Sequence, residues 1–304
     1  MQEQLTTNIE AARTDANIIS VDDALKFIPD ALDKFRLFQG HRVRTVNQRK
    51  ADATIDRYIE EECRRAKSTS TIAKWTIDFK MKFEEERAKE SATHFYGKRG
   101  LSWHIGDVAY CDYVDGEVVW RHVTLSQILE NENKQDGLTV LSHMEALMKK
   151  VSDELPFLKH AIVKSDNAGC YHKKELLLAI PLLNAESKGV KICRIIHSET
   201  QDGKTGVCDG YGATAGRHCK RALKRRGEAT EYNKICTPKE LAQALASNGG
   251  LRNSGVQLVG TDRSGRLAEI VESFKSCVEN IADYFARAND ITYFPDNGMC
   301  SIGL

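Results

Sequence analysis

Strand-like alternation begins at Ala73. Trp75, Ile77, Phe79, Met81 and Phe83 recur at every second position, a period that gives a strand one packed face and leaves the other for polar residues. The same patterning predicts strands over 101–113 and 117–126, joined by Val114-Asp115-Gly116, and Asp-Gly between alternating apolar runs is a strong hairpin signal. The period then becomes helical. Leu138, Leu141, Met144, Leu147, Met148, Val151 and Leu155 form one stripe of a helix over 137–158 that stops near Pro156 and would cover a sheet face. An apolar run predicts a fourth strand over 160–165, followed by a helix over 173–187, a fifth strand over 190–197 and a helix from Asp209 to about Arg226.

The flanks read differently. Residues 21–38 carry Leu25, Phe27, Ile28, Leu32, Phe35 and Leu37 at mixed helical spacing, 41–67 is highly charged, and Ser68-Thr-Ser-Thr is a loop. A solvated helical arm is expected there in preference to a dedicated DNA-binding module. In the tail, Thr237-Pro238-Lys239-Glu240 is a capping box with Pro at the first helical position, and Asn248-Gly249-Gly250 is a matching stop. Residues 267–288 have helical spacing, and 291–294 and 299–302 flank Pro-Asp-Asn-Gly as a closing hairpin. Three parts follow: a helical arm over 1–70, a core over 71–228 and a C-terminal α/β extension over 229–304. The core order, three strands, helix, strand, helix, strand, helix, is that of an α/β, ribonuclease H-like fold with a mixed five-stranded sheet and flanking helices.

Composition narrows the partners little. Lys plus Arg is 44 and Asp plus Glu is 43, so a net charge of +1 gives no global attraction to a polyanion, and any such contact must come from local clustering. Nine cysteines form an odd set without a repeated Cys-x-x-Cys spacing, and the opening Met-Gln-Glu-Gln has no apolar segment behind it. Reduced thiols in a nuclear or cytoplasmic protein, neither secreted nor membrane-bound, are expected.

Three acids stand where chemistry is presented. Asp78 interrupts the first strand on the face opposite Trp75, Ile77 and Phe79; Asp166 ends the fourth strand; Asp209 opens the last core helix. Carboxylates converging from different elements suit two Mg²⁺ or Mn²⁺ ions, which together activate an oxygen nucleophile and stabilise a leaving oxyanion. Each acid also has an ordinary reading: an exposed strand acid for Asp78, an Asx-turn for Asp166 and an N-cap for Asp209.

The strings Asp78-Phe-Lys-Met-Lys-Phe, Tyr96-Gly-Lys-Arg-Gly-Leu-Ser-Trp-His104, Ser165-Asp-Asn-Ala-Gly-Cys-Tyr-His172 and Gln201-Asp-Gly-Lys204 with Cys208-Asp209 resemble a set of transposon-derived eukaryotic proteins with a ribonuclease H-like DDE transposase or integrase core. The resemblance spans roughly 70–260. It implies a triad of Asp78, Asp166 and Asp209 acting in metal-dependent DNA cleavage or strand transfer, and it puts His104 at the border of the site. Two positions depart from the pattern: His197-Ser-Glu199 stands where it has Asp-Phe-Ser-Glu, and Gly210 stands where it has an Arg beside the third acid.

Arg217, Lys220, Arg221, Lys224, Arg225 and Arg226 form a basic cluster on the last core helix, suited to backbone phosphates of DNA, or of RNA, without reading sequence. Cys170, His172, Cys208, His218 and Cys219 are soft ligands, but Cys-x-His is not a finger spacing, and a structural zinc is not expected. Neighbouring Cys170 and His172 are also a poor nucleophile and base pair, since adjacent residues seldom reach the required geometry. The expected activity is transposase- or integrase-like phosphodiester cleavage, in an active, degenerate or domesticated copy, with assembly into homo-oligomers compatible with it. The alternatives are a non-catalytic nucleic-acid-binding or assembly protein that keeps the fold, and a stand-alone ribonuclease H or exonuclease.

Overall fold

Within the helical arm expected over 1–70, a single helix, α1, runs over Val21–Ala66. Gly40 is the only glycine within it, and one helical glycine costs roughly 1 kcal/mol against Ala, too little to break the run. The structure is a computed structural model that describes residues 21–87, 100–198, 206–225, 234–278, 290–294 and 299–303. It divides the chain into two units, Met1–Asp52 and Ala53–Leu304.

The second unit is built on β1 (Ile72–Phe83), β2 (Glu86–Arg87), β3 (Leu101–Val114), β4 (Glu117–Leu129), α2 (Gly137–Glu154), β5 (His160–Ser165), α3 (Lys174–Glu186), β6 (Lys191–His197) and α4 (Gly206–Arg225). Then follow β7 (Lys234–Ile235), α5 (Pro238–Ala246), β8 (Ser254–Val259), α6 (Arg266–Val278), β9 (Asp290–Phe294) and β10 (Met299–Gly303). The core elements fall where the periodicity put them. Asp115 and Gly116 join β3 to β4 with φ of 52° and 87°, the left-handed pair that a two-residue hairpin turn requires. Thr237 and Glu240 close the expected capping box, with Pro238 in the first turn. The helix expected to reach 288 is described to Val278, and the rest of that expectation lies outside the described residues, as does the loop Gln201–Lys204.

The fold is α/β with a mixed sheet in the order β10-β9-β6-β5-β1-β3-β4-β8, and β2 and β7 pair apart from it as a two-stranded antiparallel sheet. β1 pairs antiparallel with β3, and β3 with β4; β5 lies parallel to β1, and β6 parallel to β5. The expectation of five strands is corrected to eight. β8 adds in parallel to the free edge of β4, and the β9–β10 hairpin adds to β6, so three strands of the C-terminal segment complete the core sheet itself. Open edges of β4 and β6 present unpaired backbone groups, and these additions satisfy them.

Alternation sorts side chains to two faces. Trp75, Ile77, Val108, Leu125, Ala161 and Val163 lie on one, buried under α2, α3 and α6. The other face is covered in two places: Ile55, Ile59 and Cys63 of α1 pack on Cys111 and Ile162, while α4 and α5 cover Trp103, Ile105 and Ile128. Between these patches the face is polar, with Thr76, Asp78, Asp107 and Thr124 at its centre.

Candidate active site

Strand register sets the first two acids side by side. β1 and β5 are neighbours in parallel register, with Trp75 opposite Val163 and Thr76 opposite Lys164. Asp78 and Asp166 each stand two residues further along, Asp78 in mid-strand and Asp166 just past the end of β5. Asp78 lies on the polar face, as its parity with Lys74 and Thr76 requires.

The third acid arrives on α4, and small residues allow its approach. Cys208, Ala215, Cys219 and Ala222 are buried on one stripe of that helix. A Cβ on Gly212 would stand 3.1 Å from Ile105 Cδ1 and 3.2 Å from Lys80 Cδ, so the helix lies close against β1 and β3. Its first turn is anchored by the Cys208 thiol, which donates to the Thr76 carbonyl at 3.3 Å. Asp209 is the next residue and is exposed in the first helical turn, where a carboxylate also favours the helix dipole.

Electrostatics relate the acids in pairs, through two thiols. Burial pushes the Cys170 thiol up to about 11, and the carboxylates of Asp166 and Asp78 push in the same direction. Cys208 is also raised by burial, with Asp107, Asp78 and Asp209 adding to it. Asp78 is common to both sets, and so stands within reach of the surroundings of the other two acids. Burial thus holds both thiols in their protonated form. Among the described residues no three His, Cys, Asp or Glu side chains form a group that could hold a metal ion, so the structure does not gather the three acids into one.

The ordinary readings hold in part. Asp166 Oδ1 accepts from the Ala168 backbone N–H at 3.1 Å, an Asx-turn that orients the carboxylate and engages one of its oxygens. Asp209 lies inside the helix and not at its N-cap. The backbone at Asp166 is held by a buried pair, with Ser165 Oγ 2.9 Å from His197 Nδ1 and 3.0 Å from the Asp166 carbonyl oxygen. Ser165 and His197 are both 1% exposed, which rules out a serine nucleophile open to substrate and leaves this pair a positioning role.

Of the basic cluster, Arg217, Lys220 and Arg221 are exposed on α4 on the side away from the sheet. Arg217 donates to Thr214 Oγ1 at 3.1 Å, and Arg221 to the Arg217 carbonyl at 3.4 Å. The side chains of Lys224 and Arg225, and all of Arg226, lie outside the described residues. His218 Nε2 is 3.1 Å from the Ser247 carbonyl, which ties α4 to the end of α5.

Three further features escaped the sequence reading. Lys80, two residues beyond Asp78 on the same face, sits half-buried under α4 with its ammonium 5.2 Å from the Trp103 ring centroid. Burial lowers its pKa, and Lys220 lowers it further. Its parity with Asp78 was the available signal. Asp107 is 1% exposed and accepts from Thr124 Oγ1 at 2.8 Å and pairs with His122 Nδ1 at 2.9 Å, which raises the His122 pKa. An acid inside the apolar run of β3 was a signal; its partner on β4 was not legible locally.

The third feature is a buried histidine pair beneath Phe79. His104 and His143 are both fully buried and stack with ring centroids 4.6 Å apart. Phe79 packs edge-on to His104 at 4.9 Å, and Tyr171 lies 5.7 Å from Phe79. His104 Nδ1 is 2.9 Å from Gln127 Oε1, while Gln127 donates to the His143 carbonyl and to Gln257 Oε1. Burial lowers the His104 pKa to about 4 and that of His143 well below its usual value. His104 therefore lies with Phe79 on the face of the sheet opposite Asp78, as part of the core, and does not face the acids.

No curated protein and no solved structure matches the chain. Residues 56–283 match the family described as "Domain of unknown function (DUF8701)", and the chain belongs to that family.

Proposed function

We propose that residues 71–228 are a ribonuclease H-like core of transposase or integrase descent that cleaves or transfers phosphodiesters with divalent metal. The observation that carries this reading is the strand order β4-β3-β1-β5-β6 with α4 following β6. An antiparallel meander has its first strand at the centre, two parallel strands extend its other side, and a helix then returns across it. In this reading that order would bring acids from β1, from the end of β5 and from α4 toward one face of the sheet.

Asp78 and Asp166 would hold one Mg²⁺ or Mn²⁺ between them, and Asp209 would contribute to a second. Bound ions of this kind supply an activated water or hydroxyl nucleophile and a counter-charge for the leaving oxygen. The chain supplies the carboxylates, orients Asp166 through its Asx-turn and the Ser165–His197 pair, and offers Arg217, Lys220 and Arg221 to flanking phosphates. Such contacts neutralise backbone charge and do not read sequence. DNA is the favoured polymer, with RNA as the alternative, in a nuclear or cytoplasmic setting; among the described residues no helix is long and apolar enough to cross a membrane.

A second reading, a nucleic-acid-binding protein of the same fold without catalysis, draws on the same basic face of α4, which needs no metal to act. Purified full-length protein incubated with Mg²⁺ or Mn²⁺ and with duplex ends, RNA–DNA hybrids and single strands separates the two. Cleavage or strand joining that stops on chelation supports the first reading. Binding without turnover on every substrate supports the second.

A further inference from the structure

The middle of α1 carries a second acid-free basic block, apart from the one on α4. Between positions 34 and 50 stand Lys34, Arg36, Arg42, Arg44, Arg49 and Lys50 and no Asp or Glu, while the remaining 38 basic residues of the chain face 43 acidic ones. The block is bounded by acids on both sides, with Asp22, Asp23, Asp30 and Asp33 before it and Asp52, Asp56 and Glu60 to Glu62 after it. Lys34 and Arg36 pair with Asp30 and Asp33. All six basic side chains are exposed, and Thr45 is the one buried residue of the block.

We infer that this block binds the backbone of duplex nucleic acid, as an electrostatic contact separate from the aspartate site. Its geometry favours a duplex over a membrane surface. At about 100° per residue the six cations fall around the whole helix circumference, and Arg42, Arg49 and Lys50 fall within the same arc as the exposed Phe35, Phe38, Val43 and Val46. A helix that lies on lipid keeps its cations off the apolar face, whereas here three of them stand within it. A helix in a major groove is flanked by phosphates on both sides, and the groove admits a helix of ordinary diameter. Seventeen residues span roughly 25 Å, enough to follow the groove across several base pairs. Self-association through the block is disfavoured by the same charge, since a second copy offers it no acid there.

The test is binding without chemistry. Full-length protein with Arg42, Arg44, Arg49 and Lys50 all changed to Gln is titrated onto a fluorescent 25-base-pair duplex in EDTA, across a series of KCl concentrations. The wild type is expected to bind with a steep salt dependence; the variant should lose at least tenfold in affinity at low salt, and its log–log salt slope should fall by about 0.9 for each phosphate contact removed. A variant with Arg42, Arg44 and Arg49 changed to Lys should keep most of both, showing that charge and not helix integrity is read. Unchanged affinity and slope in the Gln variant would overturn the inference, as would a Lys variant that falls as far as the Gln variant. Binding of the wild type to phosphatidylserine vesicles but not to duplex would also overturn it. Because metal is absent throughout, an inactive aspartate site leaves every one of these outcomes readable.

Discussion

Asp166→Asn and Asp78→Asn are each expected to lower metal-dependent cleavage by on the order of 10²–10³-fold or more. Removing one group that stabilises developing charge costs about 3–4 kcal/mol of transition-state stabilisation in comparable sites. The amide keeps the shape of the carboxylate and removes its charge, so the melting temperature should hold while turnover falls. Asp166→Asn also keeps an oxygen able to accept from the Ala168 N–H, so the Asx-turn survives the change. The assay is single-turnover cleavage of the preferred substrate at saturating Mn²⁺, read beside a thermal melt. Equal rates for wild type and either variant would remove that residue from the site.

Acid should destabilise the fold as the pH falls below about 6.5. His104 is held neutral by burial, with its pKa lowered to about 4, and His143 and His197 are lowered for the same first reason. An unfolded histidine titrates near 6.5, so between that pH and 4 the unfolded chain binds more protons than the folded one. Stability is therefore whole above pH 6.5 and is lost as the pH falls toward 4, by roughly 3 kcal/mol for His104 alone. The groups facing the pair are Phe79 from β1, Gln127 from β4, Gln257 from β8 and the phenol of Tyr171, and none supplies an anion to hold an imidazolium. His122 acts in the opposite sense, since Asp107 raises its pKa and that contribution fades as the pH rises, but it is half exposed and its effect is small. His143→Leu removes one of the buried titrating groups at similar volume. Its urea midpoint should change less between pH 7.5 and 4.5 than that of the wild type. Parallel profiles for the two proteins would show that the pair does not govern the acid response.

Local pattern carried much of the architecture. The alternation Trp75, Ile77, Phe79 fixed both β1 and the face on which Asp78 lies, and the apolar run before Asp166 gave β5 its observed bounds. Asp115-Gly116 is a conformational requirement written in two residues, and it was legible for that reason. β8 was missed because Ser-Gly-Val-Gln-Leu-Val has little alternation of its own. Its strand is formed by parallel pairing with β4, far away in sequence, and Gly255 is where Leu125 presses against the backbone, 2.7 Å from where a Cβ would stand. The count of strands failed with it.

The site divides in the same way. Asp78 was legible as a break in an alternation, Asp166 as the end of an apolar run and Asp209 as the start of a helix, but what surrounds them was not local. Lys80 became visible once α4 lay over it, Asp107 once His122 and Thr124 came beside it, and the stack of His104 on His143 joins a strand to a helix. Such contacts depend on which strands adjoin and which helix covers them, and neither propensity nor spacing encodes that in a single stretch.

The central claim is that Asp78, Asp166 and Asp209 form one divalent-cation site. Counting Mn²⁺ bound by the full-length protein, by calorimetry with electron paramagnetic resonance, tests it most directly. The account predicts two ions per chain, spin-coupled as expected for a separation of about 3.5–4 Å, with the coupled signal lost in Asp78→Asn, Asp166→Asn and Asp209→Asn alike. Mn²⁺ binding that none of the three substitutions alters, or no specific binding in the wild type, would contradict it.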